Sequence, residues 1–329
     1  MKPERLSAAA LLNLATKKRG TEVLKIASHD SWLGNRRQDV TASTIGALLG
    51  VHEYQTAYGL WALKAGLVQA DPEETPAMRR GRLLEPVGIK LLGEERPTWQ
   101  IMANPVPGGV YLRDPARRIG ATPDAFAVDP ERPGFGIVQF KSVEPGIFRQ
   151  KWREPDTDEI EPPLWIAVQA IVEAELAGAS WACVAPLVVS YGIDIYPVEV
   201  PMHAGIVKRV GDAVADFWRR VAERDAPDPD YGRDGALIAS LYREDNGLEK
   251  DLSRDNMMPV ILQERSQLKA EIKQRESRIG EIENEIKAKL GEYERAYVPG
   301  WKVEWPTIHR AGYAVKPTTY RRLNVKAIA

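Results

Sequence analysis

The stretch from Gly120 to Ser142, GATPDAFAVDPERPGFGIVQFKS, places an acid, Asp124, ahead of a turn-forming DPERPG segment. It then returns in a β-rich run that carries Gln139 and Lys141. Strand residues two apart share a face, so Gln139 and Lys141 project together. A hairpin closing through DPERPG brings Asp124 alongside them. A carboxylate, an amide oxygen and an ammonium then converge. That set suits a hydrolytic magnesium site, with the lysine orienting or deprotonating water or facing developing negative charge. The same residues also fit a surface hairpin whose polar side chains face solvent.

Other segments must position such a site. In TPAMRRGRLLEPVGIKLLGEE, Thr75 is placed as an N-cap and Pro76 as the first helical residue, with Glu85 near the middle of the helix. Gly81, Arg82, Gly88 and Ile89 lie one turn from Glu85. A carboxylate on so small and apolar a face calls for a cation or ligand; a surface glutamate beside a break at Pro86 is the alternative. PPLWIAVQAIVEAELAG reads as an apolar helix ending at Gly178, its apolar stretch interrupted by Gln169, and two strands follow it, WACVAPLVVSYG and IDIYPVEV. Upstream, the first part of the chain, to about Gly66, reads as helical, with a break near Gly34 and a fresh start at TASTIGALLG, capped by Thr41 or Ser43.

The 329 residues suffice for one large domain with an appendage, or for two domains. With 44% hydrophobic residues and no apolar run long enough to cross a bilayer, the chain reads as soluble and globular, with no membrane partner. The N-terminal MKPERLSAAALLNLATKKRG reads as a helix, not a secretory signal. A single cysteine, Cys183, excludes an intrachain disulfide and points to a reducing cytoplasm. His29, His52, His203 and His309 lack metal-ligand spacing, which argues against zinc. Net charge is −1, yet KKRG, Arg36–Arg37, MRRGR and Arg321–Arg322 are basic clusters that could line a groove.

The order of helices and strands predicts an α/β core with a mixed sheet over residues 1–228. A Pro-, Asp- and Gly-rich linker, RDAPDPDYGRDG, leads into an extension over 229–329. In it a long amphipathic helix carries a seam of Ile261, Leu268, Ile272, Ile279, Ile282, Ile286 and Tyr293. Arg265, Arg275 and Lys289 interrupt the seam, which predicts an arm packed on its own chain or a neighbour over a free dimeric coil. The tail reads as a small sheet.

Four stretches, NRRQDVTASTIGALLG, RGRLLEP, GATPDAFAV…GIVQFKS and PPLWIAVQAIVEAEL, together resemble the YqaJ-type viral recombinase nucleases. These form the lambda-exonuclease group of the PD-(D/E)XK superfamily. The resemblance implies a restriction-endonuclease-like core with a central mixed sheet flanked by helices. It implies a magnesium-dependent exonuclease, with manganese as the alternative ion, degrading double-stranded DNA from an end, 5′ to 3′, in phage-type recombination. Asp124 and Gln139 would hold the metal with Glu85 in support, Lys141 would be the catalytic lysine, and Gln169 the family glutamine. Arg36 and Ser43 match an R-x6-S pattern that implies contact with the terminal 5′-phosphate. A bacterial host cytoplasm, a phage or prophage origin, a trimeric ring and a single-strand annealing partner are further expectations of the family. One position departs from the pattern: Gln139 stands where the family has Glu, which removes a full negative charge and weakens magnesium binding. The alternative function is therefore a catalytically silent DNA-end-binding protein of the same fold; an interaction protein built around the late helix is a third.

Overall fold

The computed structural model describes residues 20–69, 74–309, 323 and 325. The helix expected at the N-terminus and the pair Arg321–Arg322 lie outside the described residues. The chain falls into two compact units, Met1–Leu241 and Tyr242–Ala329.

The first unit opens with β1 (Glu22–Lys25), α1 (His29–Gln38), β2 (Val40–Thr41), α2 (Ala42–Leu48), α3 (Ala57–Lys64) and α4 (Pro76–Glu95). Five strands follow: β3 (Gln100–Ala103), β4 (Val110–Asp114), β5 (Ile119–Ala121), β6 (Ala125–Val128) and β7 (Gly136–Val143). Then come α5 (Pro145–Lys151), α6 (Leu164–Ala177), β8 (Trp181–Val189), β9 (Ile193–Ile195), β10 (Val198–Val200), α7 (Ala204–Glu223) and α8 (Gly235–Leu241). The second unit holds α9 (Met258–Leu290) and the hairpin β11 (Arg295–Val298) and β12 (Trp301–Glu304).

The architecture is the expected mixed α/β one. A six-stranded sheet runs β10-β8-β7-β6-β3, with β9 also on β8. β7 and β8 are parallel at its centre, and the remaining pairs are antiparallel. A second sheet, β1-β4-β5-β2, pairs β2 and β5 in parallel. Residues 122–124 carry the chain from β5 in one sheet to β6 in the other, so Asp124 sits where the sheets part. Helix α6 covers this region with an almost wholly buried surface: Ile166, Val168, Ile171, Val172 and Leu176 are all core. It ends at Gly178 in a left-handed conformation, φ 70°, which glycine adopts without Cβ strain.

Four local readings are corrected. The first part of the chain, read as helical to about Gly66, also holds the strands β1 and β2, drawn into extended backbone by pairing with β4 and β5. Helix α1 runs through Gly34 and ends instead at Asp39. Asp39 is fully buried and accepts from Tyr111 Oη at 3.1 Å and Arg113 Nε at 3.0 Å, while Val40 pairs with β5. Those tertiary partners draw the backbone out of the helix. The single strand read in IDIYPVEV is two short strands, β9 and β10. Helix α9 stops at Leu290, so Tyr293 lies beyond the seam.

The first unit continues past residue 228 through α8. Thr56 Oγ1 donates to Asp234 Oδ1 at 2.7 Å, and Arg233 Nη2 donates to the carbonyls of His52 and Glu53 at 2.9 Å each.

Candidate active site

The expected hairpin forms: β6 and β7 pair antiparallel, Ala125 opposite Val138. One residue beyond, the ladder ends and the side chain of Asp124 takes its place. Phe140 N donates to Asp124 Oδ2 at 2.7 Å, and Gln139 Nε2 donates to the same oxygen at 2.5 Å. Asn104 fixes the turn behind the aspartate. Its backbone N donates to the Asp124 carbonyl at 2.9 Å, and its Nδ2 donates to the Pro123 and Val110 carbonyls at 2.8 and 3.0 Å. The carboxylate is therefore held by its neighbours before any ligand arrives.

Gln139 and Lys141 share the face of β7 that looks toward α6. Lys141 Nζ donates to Gln169 Oε1 at 3.2 Å and lies 5.7 Å from the centre of the Trp165 ring. Gln169 Nε2 in turn donates to Glu173 Oε1 at 2.8 Å, one helical turn on. Glu85 reaches the site from the other side. A Cβ added to Gly88 would stand 2.8 Å from Phe140 Cδ1, so glycine there lets α4 approach β7 closely one turn from Glu85. Glu85, Asp124, Gln139 and Lys141 line one open cleft of about 610 Å³.

Burial dominates the electrostatics. It raises the Asp124 carboxyl above the ordinary aspartate range, while Lys141, the Phe140 amide and the Gln139 amide pull the other way. Glu85 is raised first by burial and next by the charge of Asp124, with Lys141 opposing. An acid raised by the charge of a second acid beside it belongs to a pair in need of a cation.

The oxygen donors fit one. Asp124 and Glu85 offer carboxylates, and Gln139 Oε1 is a buried oxygen with no hydrogen-bond partner. All are hard oxygens of the kind magnesium or manganese takes. Among the described residues no three His, Cys, Asp or Glu side chains are grouped to hold a metal. The amide at 139 is the reason the candidate ligand set of Glu85, Asp124 and Gln139 holds two acids and not three.

The second expected pair also meets. Arg36 Nη2 donates to Ser43 Oγ at 3.3 Å, joining the end of α1 to the start of α2. The Arg36 guanidinium stacks 4.5 Å from the centre of the Trp32 ring, and Trp32 Nε1 donates to Thr122 Oγ1 at 3.0 Å, two residues before Asp124. Arg36, Arg37 and Lys64 line a separate basic cleft of about 520 Å³. Lys64 Nζ caps α1 by donating to the Arg36 carbonyl at 2.6 Å, and burial lowers its pKa to about 8.

Several contributors escaped the sequence reading. His52 Nε2 meets the Ser43 carbonyl at 3.0 Å, and its ring lies tilted against Trp165 with centroids 4.6 Å apart, so one buried imidazole touches both clusters. Asn104 carried no signal beyond its place in a turn. Glu173 did carry one, its four-residue spacing from Gln169. Glu144 is exposed at the start of α5, on the rim of the cleft, and pairs with Arg80 at 3.4 Å.

Comparison with known proteins agrees with the family read from the four stretches. Residues 31–178 match the YqaJ-like viral recombinase domain. The uncharacterized protein YqaJ of Bacillus subtilis (strain 168) is 23% identical over 310 residues, covering 92% of this chain and 87% of that protein. Among solved structures, the alkaline exonuclease LHK-Exo from Laribacter hongkongensis aligns with a TM-score of 0.45 at 16% identity, over 64% of this chain and 100% of that one. Its complex with dAMP aligns with a TM-score of 0.42 at 16% identity, over 64% and 98%. Among the described residues no helix is long and apolar enough to cross a membrane.

Proposed function

We propose that this chain, whose residues 31–178 match a YqaJ-like viral recombinase domain, is a divalent-metal-dependent deoxyribonuclease that works inward from the ends of duplex DNA. The observation that carries the reading is the convergence of Glu85, Asp124, Gln139 and Lys141 on one cleft. Two carboxylates, an amide oxygen and an ammonium there match the needs of phosphodiester hydrolysis.

Asp124, Gln139 Oε1 and Glu85 would hold the cation, magnesium or manganese, which when bound supplies Lewis-acid polarisation of the scissile phosphate and a more acidic attacking water. The protein's own groups do the rest. Asp124 is fixed through Oδ2 by the Phe140 and Gln139 donors, and neither of these falls on Oδ1. Lys141 presents an ammonium to charge that develops on the phosphate, its direction set by the Gln169 carbonyl. Arg36 and Ser43 supply a guanidinium and a hydroxyl for the terminal 5′-phosphate, giving 5′ to 3′ polarity. Ring assembly and an annealing-protein partner belong to the same reading.

A second reading has its own support. The Gln139–Asp124 hydrogen bond satisfies, with no cation, a contact that two carboxylates would make only across one. A protein that grips DNA ends without cutting them follows from it. Linear duplex with 5′-phosphate or 5′-hydroxyl ends, incubated with and without magnesium or manganese, separates the two. Metal-dependent release of nucleotides, faster on phosphorylated ends, is expected. End binding with no cleavage under either metal supports the silent binder, and neither binding nor cleavage overturns both.

A further inference from the structure

We infer that Glu173 is a positioning residue for Lys141, acting through Gln169. The inference rests on the nuclease reading and deepens it.

Glu173 is 1% exposed and sits in α6 among Ile171, Val172, Ala174 and Leu176. Its Oε2 has no hydrogen-bond partner, and Oε1 accepts only from Gln169 Nε2, at 2.8 Å. An acid so placed weakens the fold, since an apolar side chain of similar volume fills such a site without an unmet polar atom. Stability does not explain its presence. Its surroundings offer another reason. The charged groups that reach it are Asp124, Lys141 and Arg36, drawn from both clusters of the candidate site, and burial above all keeps its carboxyl protonated further up the pH scale than an ordinary glutamate.

The amide between Glu173 and Lys141 is the key. A glutamine side chain can present either its carbonyl or its NH2 to a neighbour. Lys141 is donor-only, so Gln169 supports it with the carbonyl and sets two donors against each other if the amide turns over. An acceptor at the far end selects between these states. Glu173 Oε1 provides that acceptor by taking the NH2, which leaves Oε1 of Gln169 toward the ammonium at 3.2 Å. Both glutamines of the site are 4% exposed, so no bulk water substitutes for the missing partner. Removing the acceptor frees the amide, and the ammonium loses its fixed direction.

The test compares Glu173→Leu with Glu173→Gln in the full chain, on 5′-phosphorylated duplex. Glu173→Leu should lower kcat about tenfold, the equivalent of ~1.4 kcal/mol in the barrier, with KM for DNA ends within about twofold of wild type and an unchanged or higher Tm. Glu173→Gln, which restores an acceptor carbonyl, should recover most of kcat. An activity-free readout accompanies it: in lysine-selective 15N spectra, the Nζ resonance missing from Lys141→Met should be sharp in wild type and Glu173→Gln, and lost or shifted in Glu173→Leu. If Glu173→Leu does not fold, Glu173→Asp, withdrawn from Gln169 by one methylene, should show the same losses. An unchanged kcat and an unchanged Lys141 resonance overturn the inference while leaving the nuclease reading intact. Equal losses of kcat, KM and Tm in both variants assign Glu173 a packing role and overturn it too. If wild type cleaves under no metal, the nuclease reading fails, and the resonance alone decides whether Glu173 positions Lys141.

Discussion

The cleft of the first unit and the long helix of the second handle polar and apolar groups in opposite ways. In the cleft, Gln139, Gln169 and Glu173 are buried in a sheet-and-helix core, and each is fixed by a partner distant in sequence or one turn away. Along α9 it is Ile261, Leu268, Ile272, Ile279, Ile282 and Ile286 that stand exposed. Its pairs are local: Arg278–Glu281 at 2.8 Å, Lys289–Glu285 at 2.5 Å and Lys287–Glu283 at 3.9 Å. Such exposed pairs are screened by solvent and contribute little. A buried, unmet oxygen costs about 1–3 kcal/mol. The first region gives up stability to hold chemical groups in place, whereas the second is built from weak local terms that specify nothing beyond a helix.

The sharpest way to break that contrast is to remove the group most firmly held. Asp124→Ala should reduce metal-dependent cleavage by about 10³-fold, on the order of 4 kcal/mol in the barrier, with end binding nearly unchanged. Lys141→Ala should impair cleavage similarly while metal affinity, followed by calorimetry, changes little. Cleavage that survives both substitutions would show the cleft to be an ordinary packed hairpin.

Next in size is the position where the chain departs from the family pattern. Gln139→Glu restores a third acid, replacing an amide-to-carboxylate hydrogen bond with two like charges that only a cation reconciles. Magnesium affinity should rise about tenfold, worth ~1.4 kcal/mol, and cleavage at limiting magnesium should rise with it. A fall in both would mean that the amide is the better partner for this Asp124.

How much of this was legible in the sequence follows from the range of each interaction. Asp124, Gln139 and Lys141 could be brought together from the period of a strand and a turn-rich loop, because hairpin geometry is local. Thr75 and Pro76 announced the start of α4 for the same reason, and Thr75 Oγ1 does accept from Met78 N, at 3.2 Å. The end of α1 was misplaced at Gly34 because the true stop is set by Tyr111 and Arg113 of β4, invisible to any window around Asp39. Arg36 and Ser43 came only through the family resemblance, since seven residues spanning two helices fix no geometry. Glu173 was passed over in a helix read as interrupted by Gln169 alone, although a four-residue spacing on one helix face carried the hint.

The basic cleft offers an intermediate effect. Arg36→Ala should lower use of 5′-phosphorylated ends about tenfold relative to 5′-hydroxyl ends, and should reduce the slope of log K against log salt by roughly one. Equal losses on both ends would mean that Arg36 serves α1 through its stack on Trp32 and not the DNA end.

Glu173 also sharpens the comparison through pH. Its folded pKa is raised to about 8 from an ordinary value of 4.5, chiefly by burial. Between these values the unfolded chain releases the proton and the folded chain keeps it. The stability contributed by the protonated form is thus fully present below pH 4.5 and is lost as pH rises toward 8. Glu173→Gln has no such proton, so its stability relative to wild type, from urea unfolding, should improve between pH 5 and pH 8. A constant difference would mean that the acid titrates as it does in water.

The smallest effect is expected from the largest deletion. A chain ending at Leu241 keeps α8 and with it the bonds from Thr56 to Asp234 and from Arg233 to the His52 and Glu53 carbonyls. Those bonds brace the segment that carries His52, whose ring meets both Ser43 and Trp165, so a cut made earlier, near residue 230, would disturb the site itself. After Leu241 the removed residues contribute α9 and the β11–β12 hairpin, held by local pairs and by each other. Calorimetric Tm for the first unit should therefore move by no more than about 2 °C, less than 1 kcal/mol of stability in a domain of this size. Metal-dependent cleavage should persist while retention on DNA weakens. A truncated chain that aggregates or melts far below the full protein would show that the exposed seam of α9 belongs to the stability of the first unit, and that the two regions are one cooperative structure.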